Sequence, residues 1–370
     1  MEAATQTNPR LAALTAAGVS VWLDQISRGL ITSGELDRLV REASLRGVTS
    51  NPAIFEKAIV GQADYEAQLD ELAAKDLSAR QVYEEIAIRD VQSACDVLRP
   101  VWDEAEGGDG FVSLEVEPAF AHNSEDTLAQ ARDFWKRVDR PNLMIKIPGT
   151  DEGVPAIEAA LTEGININIT LLFGVEPYER VMEAYVKAME ARLANGDSLD
   201  VHSVASFFVS RVDTEVDKRL EELGRRDLRG KAAVANARAA YARFIDVFRG
   251  ERFAALAEAG CPVQRPLWAS TGVKDPEYPA TKYVATLVGR DTVNTMPMAT
   301  IEACAAELEV EPDTAEIDPS ADLAELADAG IDMDDVTDKL LRDGIDKFVE
   351  PFDALVASIE STREGIAAGR

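Results

Sequence analysis

The stretch LMIKIPGTDEGVPAIEAALTEGININITLLF, residues 143–173, carries the pattern of one strand, one helix and a second strand. Residues 143–148 and 165–173 are rich in isoleucine and leucine and alternate in polarity, which predicts two strands. Residues 154–163 repeat apolar side chains three and four positions apart, which predicts a helix between them. A strand, a helix and a strand in succession predict two parallel strands of an α/β sheet.

The same alternation recurs along the rest of the chain. Eight segments are β-prone: Val19–Asp24, Gly47–Pro52, Phe111–Pro118, Leu143–Pro148, Ile165–Phe173, Val201–Ser210, Pro266–Thr271 and Thr292–Pro297. Helical spacing occupies the stretches between them: Gly34–Ser44, Ala79–Val97, Glu125–Val138, Val154–Glu163, Pro177–Ala194, Val212–Leu220 and Ala232–Glu258. Eight such repeats predict a single (βα)8 TIM barrel of the α/β class with its helices outside.

Residues beyond a minimal barrel lie mainly at the two ends of the chain. We expect a helical N-terminal extension over residues 1–18, a barrel catalytic domain over 19–300, and an acidic helical C-terminal region over 301–370 that packs on the barrel. The C-terminal region has the apolar spacing of surface helices, with Asp and Glu between the apolar positions. Solvated surface helices are the favoured interpretation, and an interaction tail is the alternative.

The composition limits the classes of partner. The 370 residues include 67 acidic and 38 basic side chains, giving a net charge of −29, and residues 301–370 hold 20 acidic and five basic ones. This excess excludes non-specific nucleic-acid binding and attachment to anionic membranes, because both partners carry the same sign of charge. The apolar runs are too short for a membrane helix, and the N-terminal residues lack a signal-peptide pattern.

Cysteine and histidine are scarce. Cys95, Cys261 and Cys304 are far apart and form no CxxC pair, and His122 and His202 are the two histidines. This usage argues against a disulfide framework, a zinc site and a Ser-His-Asp triad, and it favours a cytoplasmic protein. We expect neither a metal nor another cofactor.

Polar side chains recur on one face of several predicted strands. Alternate positions carry these residues: Ser113, Glu115 and Glu117; Met144, Lys146 and Pro148; Asn166, Asn168 and Thr170. The opposite faces are apolar and suit the outer helices, so the polar faces are expected to point into the barrel. Barrel interiors normally hold Val, Ile and Leu, and buried polar groups are costly unless they satisfy one another or bind a ligand.

Lys146 and Asp24 are the strongest individual candidates for residues with a chemical role. A lysine within an apolar strand needs a partner or a chemical use, and imine formation by a desolvated amine is one such use. A structural ion pair between Lys146 and Glu115 on neighbouring strands is the alternative. Asp24 ends the first predicted strand, where barrel enzymes carry catalytic groups, and a helix N-cap is its alternative role.

Six motifs together resemble one enzyme family over nearly the whole chain. They are Val19–Asp24, Gly-Val-Thr-Ser-Asn-Pro at 47–52, Ser-Leu-Glu-Val-Glu at 113–117, Met-Ile-Lys-Ile-Pro at 144–148, Ile-Asn-Ile-Thr-Leu-Leu-Phe at 167–173 and Ser-Phe-Phe-Val-Ser-Arg at 206–211. In this order they resemble the transaldolases, Schiff-base transferases of the pentose phosphate pathway, in their longer bacterial form. The resemblance implies transfer of dihydroxyacetone from sedoheptulose 7-phosphate to glyceraldehyde 3-phosphate, giving erythrose 4-phosphate and fructose 6-phosphate.

The resemblance also implies a set of catalytic residues. Lys146 matches the lysine that forms the imine with the ketose carbonyl, and Asp24 matches the acid/base that moves the proton of the C4 hydroxyl. Glu115 and Thr170 match the residues that hold the water used to form and hydrolyse the imine.

Substrate-binding residues are implied in the same way. Asn51 and Asn168 match the amides that bind the dihydroxyacetone hydroxyls, and Ser206 and Phe208 match pocket residues. Arg211 matches the arginine that binds the substrate phosphate.

The sequence departs from the family pattern after the seventh strand. Many transaldolases have a second phosphate-binding arginine in a Ser-Phe-Arg context, whereas residues 268–274 here are Trp-Ala-Ser-Thr-Gly-Val-Lys. Lys274 is the candidate for the second charge, with hydroxyl groups from Ser270 or Thr271 adding hydrogen bonds. A lysine there would act as a point charge rather than as a bidentate fork.

Two other functions remain open from the sequence. A fructose-6-phosphate aldolase would release free dihydroxyacetone, although such relatives are much shorter and lack some of these acidic residues. A non-catalytic barrel is the second alternative, and intact Asp24, Lys146 and Glu115 argue against it. The expected partners are phosphorylated sugars, with no nucleic acid and no membrane, and the protein is expected to be either a monomer or a homodimer.

Overall fold

Eight parallel strands form a closed barrel in the computed structural model, which describes residues 7–59 and 61–368. Each strand is hydrogen-bonded to the next along the chain, and the last pairs with the first. The strands are β1 Val19–Leu23, β2 Leu45–Val48, β3 Phe111–Glu115, β4 Leu143–Pro148, β5 Ile167–Leu172, β6 Ser203–Phe208, β7 Arg265–Ala269 and β8 Thr292–Met296. The predicted (βα)8 barrel is confirmed.

The helices lie between the strands and at both ends of the chain. They are α1 Pro9–Ala16, α2 Arg28–Thr32, α3 Glu35–Glu42, α4 Pro52–Ile59, α5 Glu66–Ala73, α6 Ala79–Glu104, α7 Ser124–Val138, α8 Gly153–Thr162, α9 Val175–Asn195, α10 Ser210–Glu222, α11 Ala232–Phe248, α12 Glu251–Glu258, α13 Lys282–Ala285, α14 Met298–Glu307, α15 Ser320–Asp328 and α16 Met333–Ala368. Within the described residues, none of these helices is both long enough and apolar enough to cross a membrane.

Several predicted elements have bounds that differ from the observed ones, and in two places the type or the number of elements also differs. The segment predicted as a strand over 47–52 ends at Val48, because the side-chain oxygen of Asn51 accepts the Ile54 backbone N–H and Pro52 begins α4. The single helix predicted over 232–258 is two helices, α11 and α12, with Gly250 at the N-cap of the second.

A large aromatic side chain fills the amino-terminal end of the barrel. Trp22 on β1 is fully buried, and its indole N–H donates to Ser20 and to Asp109 at 3.0 Å each. Gly47 on β2 makes room for this ring, because a Cβ there would lie 2.4 Å from the ring atoms of Trp22. This end of the barrel is therefore a packed core, and the opposite end is left for a site.

Two of the polar residues expected inside the barrel do not contribute to that opposite end. Glu117 lies beyond β3 and pairs with Arg80 at the start of α6, so its side chain leaves the barrel. Asn166 precedes β5 and donates to the carbonyl of Leu143 at 3.2 Å while accepting the backbone N–H of His202. Asn166 therefore connects the residues at the starts of β4, β5 and β6 and does not line a pocket.

The long C-terminal helix α16 lies across the carboxyl end of the barrel. It packs against α4, α6 and α10, and it also contacts β5. Its buried positions recur at spacings of three and four residues: Val336, Leu340, Gly344, Phe348, Phe352, Leu355 and Ile359. The division of the chain at residues 18 and 300 stays a prediction, but α16 itself is part of the wall around the barrel mouth.

Candidate active site

A cavity of about 100 Å³ lies at the carboxyl ends of the strands. Its lining residues are Asp24, Thr49, Asn51, Lys146, Thr170, Ser206, Phe208, Arg211, Ala269, Ser270, Gly272, Lys274, Thr295, Pro297 and Phe348. The cavity thus gathers most of the residues that the sequence predicts for a site. Two others, Glu115 and Asn168, lie beside it and are hydrogen-bonded to residues of the barrel interior.

Lys146 projects from the middle of β4 into the barrel interior. Its Nζ donates to the backbone carbonyl of Ser50 at 2.9 Å and to Oε2 of Glu115 at 3.1 Å. The Ser50 bond crosses over β3, which only a side chain inside the barrel can do. Lys146 is 4% exposed, so its amine is almost completely removed from bulk water.

The Lys146–Glu115 ion pair that the sequence offers as an alternative is present, and it lies at the cavity. Burial raises the pKa of Glu115 to about 7, against the opposing effect of the Lys146 charge. Glu115 can therefore both accept and donate a proton near neutral pH. Its second oxygen, Oε1, and the hydroxyl of Thr170 are buried and have no hydrogen-bond partner among the described residues.

Asp24 follows β1 directly, and its carboxylate lines the cavity. Oδ1 accepts a hydrogen bond from the Thr49 hydroxyl at 2.9 Å. Burial raises the pKa of Asp24, and the charges of Lys146, Arg211 and Lys274 with the Thr49 hydrogen bond oppose that effect. Asp24 is not a helix cap, because the side chain of Ser27 caps α2.

The two asparagines predicted for the site, Asn51 and Asn168, are oriented by different hydrogen bonds. Nδ2 of Asn168 donates to Ser113 at 2.9 Å, and its Oδ1 accepts from the hydroxyl of Ser206 at 2.7 Å. Asn168 and Ser206 are thus locked in one buried network that links β3, β5 and β6. Asn51 uses its oxygen to cap α4, which orients its amide N–H2 independently of that network.

The cationic side of the cavity is formed by Arg211 and Lys274. Arg211 lies in the first turn of α10, its guanidinium is 5.1 Å from the ring centroid of Phe208, and its Nη1 is buried without a partner in the described chain. Burial lowers the pKa of Arg211. Lys274 follows β7, and the next residue, Asp275, forms an ion pair with Arg229 that holds this loop.

Ser270 connects these two parts of the mouth. It has a left-handed backbone conformation with φ of 55°, and its hydroxyl lies 3.0 Å from that of Ser210 at the start of α10. Its carbonyl oxygen also accepts the backbone N–H of Ser210 at 3.1 Å. The loop after β7 and the amino terminus of α10 are therefore joined beside the two cations.

Sequence reasoning did not identify six of the residues that line the cavity: Thr49, Ala269, Gly272, Thr295, Pro297 and Phe348. Thr49 and Thr295 share a 2.7 Å hydrogen bond between their hydroxyls, and Phe348 covers the cavity from α16. Thr49 stands in the motif at 47–52, which is the signal that could have indicated it. The sequence pattern around Phe348 indicated only that it lies on the buried face of a helix. Among the described residues, no cluster of three or more His, Cys, Asp or Glu side chains could hold a metal ion.

A buried lysine paired with a carboxylate at the carboxyl ends of barrel strands defines the class of imine-forming barrel enzymes. Comparison with known proteins identifies the enzyme family within this class. Residues 21–359 match the family model described as transaldolase/fructose-6-phosphate aldolase.

Curated relatives that are about 50% identical to this chain carry the name transaldolase. The protein of Saccharopolyspora erythraea is 52% identical over 362 residues, which cover 95% of this chain and 97% of the relative. That of Mycobacterium tuberculosis is 50% identical, covering 95% and 96%, and that of Thermobifida fusca is 51% identical, covering 93% and 95%. The chain belongs to the transaldolase/fructose-6-phosphate aldolase family and is an enzyme of that family.

Proposed function

We propose that the protein is a transaldolase that transfers a dihydroxyacetone unit from sedoheptulose 7-phosphate to glyceraldehyde 3-phosphate. The products are erythrose 4-phosphate and fructose 6-phosphate, and Lys146 carries the unit as an imine. The observation that carries the proposal is the buried Lys146 Nζ, 3.1 Å from Glu115, in a cavity that also contains Asp24 and two cations. A cytoplasmic location is part of the same proposal.

Breaking the C3–C4 bond of a ketose leaves an electron pair that needs an acceptor. The protonated imine between Lys146 Nζ and the C2 carbon serves as that acceptor, so the three-carbon unit remains on the lysine as an enamine. Imine formation expels water, and Glu115 has the protonation behaviour that this step needs because its pKa is about 7. The unpaired oxygen of Glu115 and the Thr170 hydroxyl can bind the water involved.

Asp24 takes the proton of the C4 hydroxyl as the bond breaks. A carboxylate whose pKa is raised by burial is a stronger base than one in water, which favours this transfer. The same carboxyl returns the proton to the oxygen of the acceptor aldehyde when the new bond forms. Asp24 and Lys146 line one cavity, so a single ketose can meet both groups.

The remaining residues bind the two ends of the substrate. Asn51 and Ser206 face the cavity and offer polar groups to the hydroxyls of the three-carbon unit, with Asn168 holding Ser206. Arg211 and Lys274 supply positive charge for the phosphate at the mouth. This local charge matters because the protein as a whole carries −29 and repels anionic sugars at long range.

Reductive trapping tests the proposal. We expect fructose 6-phosphate plus borohydride to attach a three-carbon unit to the native protein and not to Lys146→Ala, as measured by intact mass. The exposed Lys136 on α7 provides the matched control, and Lys136→Ala should be labelled like the native protein. Labelling that persists in Lys146→Ala would contradict the assignment of the lysine.

Product analysis separates transfer from cleavage. With fructose 6-phosphate as donor and erythrose 4-phosphate as acceptor, a transaldolase forms sedoheptulose 7-phosphate and little free dihydroxyacetone. Release of dihydroxyacetone at the rate of donor consumption would instead identify a lyase.

A further inference from the structure

We propose that Phe348 closes the catalytic cavity over Lys146 and thereby makes transfer of the three-carbon unit prevail over its release as free dihydroxyacetone. The inference rests on the function proposed above and assigns a specificity-determining role to a residue outside the eight strand–helix units. Phe348 would act by keeping bulk water away from carbon C3 of the enamine, without itself taking part in a chemical step.

The geometry around Phe348 carries the inference. The ring centroid lies 5.4 Å from Nζ of Lys146, and Phe348 is 4% exposed. Every other residue that lines the cavity lies in a strand or within five residues of the end of one, including Arg211 in the first turn of α10, whereas Phe348 comes from α16. The ring is therefore a separate cover over the reactive amine.

Contacts of α16 one helical turn before Phe348 and one turn after it fix the position of the Phe348 ring. One turn before it, Gly344 packs so closely on β5 that an added Cβ would lie 3.1 Å from a methyl group of Leu171. One turn after it, the ring of Phe352 packs edge-on against Tyr83 of α6, with centroids 5.2 Å apart. Phe348 is thus held between two anchored turns of a helix rather than on a free loop.

The enamine on Lys146 has two fates, and they differ in what reaches carbon C3. In transfer, the C3 electron pair forms a bond to the carbonyl carbon of the acceptor, and the acceptor oxygen takes a proton. In release, C3 takes a proton to give an iminium, and water adds to C2 with loss of a proton to give a carbinolamine. The C2–Nζ bond then breaks as Nζ takes a proton and the C2 hydroxyl loses one. Free dihydroxyacetone and the lysine amine result.

An apolar ring near Nζ acts on the first step of release. Carbon C3 is two bonds from Nζ, so a ring whose centroid lies 5.4 Å from Nζ is close enough to C3 to limit the approach of bulk water. Hydrolysis of the imine between the new ketose and Lys146 also needs water, but the buried oxygens of Glu115 and Thr170 can bind the water for that step. The ring can therefore hinder release without preventing product formation.

The test compares two aromatic residues on the same face of α16. Phe348→Leu and Phe348→Ala remove the ring over Lys146, whereas Phe352→Leu removes a buried ring that does not line the cavity. Each variant is given fructose 6-phosphate and erythrose 4-phosphate, and the ratio of dihydroxyacetone released to sedoheptulose 7-phosphate formed is measured. Melting temperature is recorded in parallel, because loss of either ring costs stability.

We expect the ratio to rise about tenfold in Phe348→Ala and less in Phe348→Leu, because removing the ring admits water to the enamine. In Phe352→Leu the ratio should equal that of the native protein even though the melting temperature falls. An unchanged ratio in Phe348→Leu, or an equal rise in Phe352→Leu, would overturn the inference. If the native protein itself forms no sedoheptulose 7-phosphate, the proposed function has failed instead.

Discussion

Thr49 joins the general base of the proposed reaction to the eighth strand. Its hydroxyl has one proton, which it donates to Oδ1 of Asp24, so the hydroxyl of Thr295 must donate to Thr49 in turn. The hydrogen bond to Asp24 favours the ionised carboxylate and opposes the effect of burial on its pKa. Thr49 therefore holds the base in one orientation and helps to keep it charged.

Replacing Thr49 with Val should raise the pKa of Asp24 and lower kcat/KM on the acid side of its pH profile, where more of Asp24 is then protonated. The isosteric change removes the donor, so the ionised form loses a hydrogen bond and the acid limb of the kcat/KM profile moves to higher pH. Hydrogen bonds to charged groups contribute about 1.5–3 kcal/mol, which corresponds to a shift of about one pH unit or somewhat more. The pH dependence of kcat/KM with sedoheptulose 7-phosphate checks this shift.

Thr49→Ser provides the control because it keeps the hydroxyl. Its acid limb should coincide with that of the native protein even if its rate is lower. An acid limb that stays in place in Thr49→Val would show that Thr49 does not act on the charge of Asp24.

At the scale of secondary-structure elements, α16 depends on Gly344. Glycine in a helix costs about 1 kcal/mol relative to alanine, so its presence in the middle of α16 needs a reason. The reason is its close approach to β5, where Leu171 has a left-handed backbone and the pairing register with β6 shifts. A side chain at 344 would push the helix away from the barrel mouth.

Gly344→Leu should therefore destabilise the protein by about 2 kcal/mol, since overpacking a tight contact costs more than the gain in helix propensity. Gly365→Leu on the same helix is the matched control, because nothing lies within 4 Å of a Cβ at that position. Urea unfolding of both variants measures the difference. Equal midpoints for the two variants would mean that α16 does not rest on β5 at Gly344.

The secondary-structure elements also show which parts of the fold and of the site could be predicted from the sequence and which could not. β-prone segments between helical stretches indicated all eight strands, and the alternating polarity of residues 143–148 indicated Lys146, because both signals are local. The end of β2 at Val48 was missed, since it depends on the cap that Asn51 provides for α4. Phe348 was recognised as a buried helix position, but its contact with Lys146 joins residues about 200 apart and leaves no local pattern.

At the scale of the whole molecule, negative charge is concentrated in the C-terminal region. Residues 301–370 hold 20 acidic and five basic side chains, and this region lies against the barrel. Basic side chains of the barrel helices partly compensate: Lys231 pairs with Asp322 and Glu325, and Arg219 pairs with Asp335. These pairs are at least partly exposed, so each contributes little to stability, and the repulsion within a chain of charge −29 remains.

Added salt should therefore stabilise this protein. Raising NaCl from about 0.01 M to about 0.1 M shortens the screening length from about 30 Å to about 10 Å, which weakens the many long-range repulsions more than the close ion pairs. We expect the melting temperature to rise by a few degrees. Asp338, Asp346 and Glu350 are exposed and form no ion pair in the described chain, so changing them to Asn, Asn and Gln should raise the melting temperature in low salt and reduce the response to NaCl. A melting temperature that falls with NaCl would mean that the local ion pairs, rather than the net charge, dominate the electrostatic free energy of folding.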